Sequence, residues 1–183
     1  MKPLLIAAAL LGPLAHAATL ADRSLAERAR AADRVLLAKV GESRVEVPEG
    51  DPARMMTFTR LEVMADYKGK GPRKLELVQI GGKYGLWERR VPGDAVLRAG
   101  ERAVLFLRCR EDGGMQRCTL VGLARGKLEL VGGKEGPKAE VKVLSAGGEQ
   151  QRPLSQVVAE VRASAPSGQA VNAENNAKKK VNP

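Results

Sequence analysis

Apolar and polar residues alternate with a two-residue period through most of the chain, and helical spacing is confined to its two flanks. Ser24-Leu25-Ala26-Glu27 has the spacing of a capping box, in which the serine caps a helix start and the glutamate reaches back to it. "LAERARAAD" after it predicts a short helix. "RVLLAKVGESRVEV" (Arg34 to Val47) switches to strand character and ends in the loop Pro48-Glu49-Gly50-Asp51-Pro52. "MMTFTRLEVMADYKG" predicts a long strand with Thr57, Thr59, Leu61, Val63, Ala65 and Tyr67 on one face. Phe58, Arg60, Glu62, Met64 and Asp66 fall on the other, more polar face, as in a sheet wet on one side. After the turn "KGKGP", "KLELVQI" sets Leu75, Leu77 and Gln79 against Glu76, Val78 and Ile80. Residues 81–100 are the least regular stretch. "KLELV" (Lys127 to Val131) and "AEVKVLS" (Ala139 to Ser145) form a further hairpin-like pair across "GGKEGP". "PLSQVVAEVRA" places Leu154, Val157, Val158 and Val161 on one helical face.

Six or seven strands at hairpin spacing, with a short helix at each end, predict a mainly β domain over residues 18–163. The expected form is a small antiparallel, OB-like barrel, because closure removes exposed strand edges. A β-sandwich is the alternative. From about Ser164 to Pro183 the chain is rich in Asn, Ala, Ser, Gly and Lys, a disordered basic tail by composition.

"AVLFLRC" and "CTLVGLA" read as strands flanking the turn "EDGG". A two-residue turn at Gly113-Gly114, of the type with positive φ at both positions, sets Asp112 against Met115 and Cys109 against Cys118. It also sets Leu107 against Leu120 and Phe106 against Val121. Cys109 and Cys118 then form a non-hydrogen-bonded pair, with Cα atoms roughly 4.5 Å apart, within reach of a disulfide.

The N-terminus bears on that pair. Lys2 precedes an apolar run, Leu4 to Leu11, far shorter than the roughly 20 residues a spanning helix needs. Gly12 and Pro13 break it, and Ala15-His16-Ala17 fits a small-x-small cleavage site before Ala18. Residues 1–17 therefore read as a secretory signal peptide, the alternative being an uncleaved apolar helix. The expected location is periplasmic or secreted, without stable membrane insertion after cleavage, and disulfides persist there. Two cysteines with no histidine partner do not make a four-ligand zinc site. A redox centre would favour C-x-x-C, although Arg108, Arg110 and Arg117 would lower a thiol pKa. A structural disulfide, closing a short loop and adding roughly 2–3 kcal/mol in the chain-entropy model, is the reading adopted.

Composition narrows the chemistry further. The one histidine, His16, lies in the leader, so the mature chain lacks the base of the usual Ser-His-Asp and Cys-His arrangements. Neither "GLARGK" (Gly122 to Lys127) nor "GGKYG" (Gly81 to Gly85) has the spacing of a phosphate loop or dinucleotide fingerprint. No catalytic residue, cofactor or metal ligand is assigned, and the chain reads as a non-enzyme. A net charge of +10 favours anionic partners.

"ADRVLLAKVGESRV", "TFTRLEVMADYKGKG", "GGKYG", "LRAGERAVLFLR" and "VGLARGKLEL" occur in the order seen in exported bacterial proteins that resemble the netrin/TIMP-type OB barrel, over most of Ala32 to Val161. The resemblance implies a five-stranded OB-like barrel flanked by helices. It also implies binding of a protease, but the family's metal-chelating N-terminal cysteine is absent: the mature chain begins Ala18-Thr19. No inhibitory residue carries over.

Two functions remain. The first is a protein-binding module with an exported or envelope partner, using Tyr84, Trp87, Arg89 and Arg90, residue types enriched at interface hot spots. Trp87 has a competing reading as a core plug. The second is an OB-type binder of an anionic polymer, nucleic acid or a cell-surface polyanion; the charge agrees, and the scarcity of aromatic residues for base stacking does not.

Overall fold

The protein is described here by a computed structural model covering residues 23–164 apart from 134, 135, 137, 146 and 147. The segment expected to be a signal peptide (residues 1–17) lies outside these described residues, as does the expected basic tail beyond Ser164. The elements in chain order are α1 (Leu25–Ala31), β1 (Arg34–Glu46), β2 (Met56–Lys68), β3 (Lys74–Ile80), β4 (Gly82–Tyr84), β5 (Trp87–Arg89), β6 (Arg102–Asp112), β7 (Met115–Leu120), β8 (Lys127–Leu130), β9 (Glu140–Ser145), β10 (Gly148–Pro153) and α2 (Leu154–Ala163). The capping box forms: Ser24 Oγ accepts from the Glu27 N–H at 3.2 Å, and Glu27 Oε2 accepts from the Ser24 N–H at 2.7 Å.

Five strands close a ring in the order β1-β2-β3-β7-β6 and back to β1. It is an OB-like barrel with flanking helices, not a sandwich. Four of its joints are antiparallel. The fifth corrects the all-antiparallel expectation: β3 and β7 run parallel, with Glu76 beside Arg117 and Leu77 beside Cys118. The first half of β6 pairs with β1 on one edge and with β8 on the other, its second half pairs with β7, and β9 and β10 continue the β8 ladder. Strand number therefore exceeds the sequence expectation: β4, β5 and β10 are additional short or polar strands.

Two cores result. Leu36, Ala38, Val40, Leu61, Leu77 and Leu105 fill the barrel together with Cys118. Val35, Leu37, Val104 and Phe106, on the outside of the same wall, pack under Leu25 and Ala29 of α1 and Val157 and Val161 of α2. Covered on both faces, the wall strands are nearly continuous apolar runs, "RVLLA" and "AVLFL", where a half-wet sheet would alternate.

β2 shows how one residue switches a strand between cores. Leu37 faces Ala65, yet Ala38 faces Val63, so Met64 is an extra residue in the ladder. Leu61 and Val63 point into the barrel, whereas Ala65 and Tyr67 join the outer core under the helices. The single alternating face from Thr57 to Tyr67 is thus interrupted.

Buried charges tie the layers together. Lys68 Nζ donates to the carbonyls of Ala29 (2.7 Å) and Ala32 (2.6 Å), satisfying acceptors that the end of α1 leaves open. Burial lowers the pKa of this amine, and nearby Asp33 opposes that shift. Arg34 pairs with Asp66 at 2.7 Å and donates to Gln116 Oε1 at 2.6 Å, joining β1 to β2 and β7. Phe58, on the outer face of β2, is covered by the guanidinium groups of Arg44 (4.7 Å) and Arg117 (5.1 Å). Both arginines bind the buried carboxylate of Glu76. The Arg44 hydrogen bond, with Arg117 behind it, holds that carboxyl below the ordinary glutamate range against the opposing effect of burial.

The β6–β7 hairpin has the predicted register at every position. Leu107 faces Leu120, Cys109 faces Cys118 and Asp112 faces Met115, and the Val121 N–H bonds the Phe106 carbonyl at 2.9 Å. Gly113 and Gly114 both have positive φ, 59° and 78°. Cys109 and Cys118 are joined by a disulfide with Cα atoms 4.0 Å apart. Among the described residues no helix is long and apolar enough to cross a membrane.

Candidate functional site

Residues 81–91 leave the end of β3 as a small separate hairpin, β4 paired with β5. Two glycines make the exit possible. Gly81 has φ 97°, and a Cβ there would sit 2.3 Å from the Arg89 carbonyl oxygen. Gly82 has φ 142°, and its Cβ would sit 2.6 Å from Thr57 Oγ1. Close backbone approach and left-handed backbone geometry both require glycine here. The root is then fixed to β2: the Gly81 N–H donates to the Met55 carbonyl at 2.8 Å, and Thr57 Oγ1 donates to the Gly81 carbonyl at 2.7 Å. Arg89 adds a third tie, its guanidinium donating to the Ala53 carbonyl.

The structure divides the four sequence-predicted residues. Tyr84 and Trp87 are direct cross-strand partners and so share one face of the hairpin. They are 57% and 62% exposed, which decides against the core-plug reading of Trp87. Arg89 belongs to the root. Arg90 lies beyond the end of β5, its Nε donating to Glu88 Oε1 at 2.5 Å. The aromatic pair is therefore the patch, and the two arginines are its base and its margin.

Three apolar residues were not singled out from the sequence. Leu86, in the turn between Tyr84 and Trp87, is fully exposed; Ile80 and Val96, on either side of the hairpin, are exposed as well. "YGLW" does carry a signal for the first of these, an apolar side chain at a turn position where polar residues are the rule. Below the hairpin lies a cleft of about 300 Å³, bordered by Ile80, Lys83, Arg90, Val91 and Val96. Its floor is held by Gln79 Nε2, which donates to the Ala95 carbonyl at 2.8 Å. Among the described residues, no group of three or more His, Cys, Asp or Glu side chains stands close enough to hold a metal ion.

Comparison with known proteins gave no match: no family model fits the chain, and neither a curated protein nor a solved structure matches it.

Proposed function

We propose that the protein is an exported, non-enzymatic protein-binding module and that the β4–β5 hairpin is its docking element. One observation carries this reading. Of the large apolar side chains exposed among the described residues, all but Met115 (Ile80, Tyr84, Leu86, Trp87 and Val96) lie between positions 80 and 96. Clustered exposure of this kind marks interaction surfaces, whereas scattered exposure is ordinary. Tyr and Trp give contact area at small entropic cost, and the hairpin that carries them is tied at its root to Met55 and Thr57. The disulfide is consistent with an oxidising compartment. Under the netrin/TIMP-type resemblance the partner would be a protease, bound without the metal-chelating N-terminal cysteine of that family.

Binding of an anionic polymer is the second reading, favoured by the charge and by Lys39, Arg60 and Lys74 along a groove of about 510 Å³ on the barrel. Glu62 and Glu76 share that groove and weaken the case.

The test is affinity capture from envelope and culture-supernatant fractions with tagged, oxidised protein. The expected result is one dominant protein that survives high salt and is lost with Trp87→Ala. Recovery of salt-labile polymer alone would replace this reading with the second, since counterion release makes polyanion binding steeply salt-dependent.

A further inference from the structure

The β4–β5 ribbon has two faces, and the exposed aromatic pair uses only one. Side chains alternate along each strand, so Lys83 and its cross-strand partner Glu88 point away from the face of Tyr84 and Trp87. Lys83 and Glu88 border the cleft of about 300 Å³ under the hairpin, and the two aromatic residues do not. That volume is at the lower end of the range for ligand pockets, roughly 300–1,000 Å³, and suits a protruding side chain better than a cofactor.

Both walls of the cleft are held in place. The hairpin hangs from its root bonds to Met55 and Thr57. The facing segment, residues 94–98, is neither helix nor strand, yet its carbonyls are clamped. Gln79 Nε2 donates to the Ala95 carbonyl at 2.8 Å, and Lys127 Nζ donates to the Val96 carbonyl at 2.6 Å. Lys127 is itself buried and paired with Glu101 (2.9 Å) and Glu129 (3.1 Å). Leu97 packs on the barrel core, which leaves Val96 turned outward at the cleft with Ile80 and Val91. The acids of the lining are engaged within the chain: Glu88 Oε1 accepts from Arg90 Nε at 2.5 Å, and Asp94 Oδ1 accepts from the Ala95 N–H at 2.8 Å. The exposed ammonium of Lys83 has no hydrogen bond or ion pair with another described residue.

We propose that this cleft is the specificity pocket of the docking element, taking an apolar side chain of the partner protein that has an acidic side chain beside it. The apolar group sits against Ile80, Val91 and Val96, and the carboxylate meets Lys83, the cation the chain leaves unused. An anchor filling a held pocket supplies affinity, and complementary charge at its rim supplies selectivity. The partner then grips both faces of the ribbon. The inference rests on the docking role proposed for the hairpin.

Titration of the oxidised, isotope-labelled chain with three blocked dipeptides, followed by amide chemical shifts, tests it: leucyl-aspartate, leucyl-asparagine and glycyl-aspartate. The expected result is shifts at Ile80, Lys83 and Val96 with leucyl-aspartate, bound about threefold tighter than leucyl-asparagine and about tenfold tighter than glycyl-aspartate. Lys83→Gln should erase the preference for aspartate over asparagine. Val96→Ser should weaken leucyl-aspartate about threefold or more. Both side chains are exposed, so melting temperatures should stay unchanged. Absence of leucyl-aspartate binding, shifts confined to another part of the chain, equal binding of either control, or a Lys83→Gln variant that still prefers aspartate would each overturn the proposal. None of these results touches the aromatic face: failure of the docking role is read separately, as partner capture that survives Trp87→Ala.

Discussion

Two of the tight hairpins in this protein, β6–β7 and β4–β5, have contrasting fates. β6–β7 turns at Gly113-Gly114, joins the barrel wall on both sides and is stapled by Cys109–Cys118. β4–β5 turns at Gly85-Leu86, forms its own two-stranded sheet and is tied only at its root. The first buries its apolar residues: Leu107 and Cys118 belong to the barrel core. The second turns Tyr84, Leu86 and Trp87 outward. A two-stranded ribbon is marginally stable alone, so exposed aromatic residues on one contribute little to folding. The contrast separates residues that hold the fold from residues free to serve an interface, and mutation measures that separation.

The largest effect belongs to the barrel interior. Leu77 is fully buried at the parallel joint beside Cys118. Leu77→Ala should cost about 3–5 kcal/mol through lost burial and the cavity left behind, read as a shifted urea midpoint with little change in slope. A loss below about 1 kcal/mol would mean the ring is loosely packed at this joint.

The staple comes next. Replacing Cys109 with Ser and Cys118 with Ala should lower stability by about 2–3 kcal/mol, while capture by the hairpin partner persists. If partner binding fell in step with stability, the two hairpins would not be independent and the division drawn here would collapse.

A smaller, pH-dependent effect lies at Glu76. Its folded pKa is depressed, chiefly by Arg44 and then by Arg117. The sign follows from linkage: the unfolded carboxyl binds a proton more readily, so this stabilisation is complete above the unfolded pKa. It is lost as pH falls through the depressed folded value. Glu76→Gln should therefore cost about 1–2 kcal/mol at neutral pH, and wild type and variant should converge in the acid range. Urea titrations at stepped pH give the comparison; a constant gap at every pH would assign the loss to packing.

How much of this was legible depends on how local the cause is. The register of β6–β7 follows from one glycine turn and the parity of two cysteines, and the α1 cap from four consecutive residues, so both could be read from the chain. The β1–β6 and β3–β7 joints bring together distant strands, and no local pattern specifies them. The parallel joint was missed for that reason, and so was the Met64 bulge, which exists only relative to β1. β10, "GEQQRP", is polar throughout and becomes a strand by pairing with β9. The burial of Arg28 was half legible: Leu25, Arg28, Ala29 and Ala32 have helical core spacing, which places an arginine on the buried face. What stands against that arginine came only from the fold.

The smallest effect on folding is assigned to the residue expected to matter most for binding. Trp87 is more than half exposed and faces Tyr84 across a ribbon of two three-residue strands. Trp87→Ala should change stability by about 0.5 kcal/mol or less, as for a surface substitution. Gly82→Ala is the sharper companion. A side chain there would meet Thr57 Oγ1 and Val45 in left-handed backbone geometry, so it should displace the hairpin root while leaving both cores intact. If both variants keep near-wild-type melting temperatures and both lose the partner, binding needs the aromatic pair and also its orientation on the barrel. If Gly82→Ala binds normally, the tip alone is sufficient and the glycine-fixed root serves only to leave the sheet.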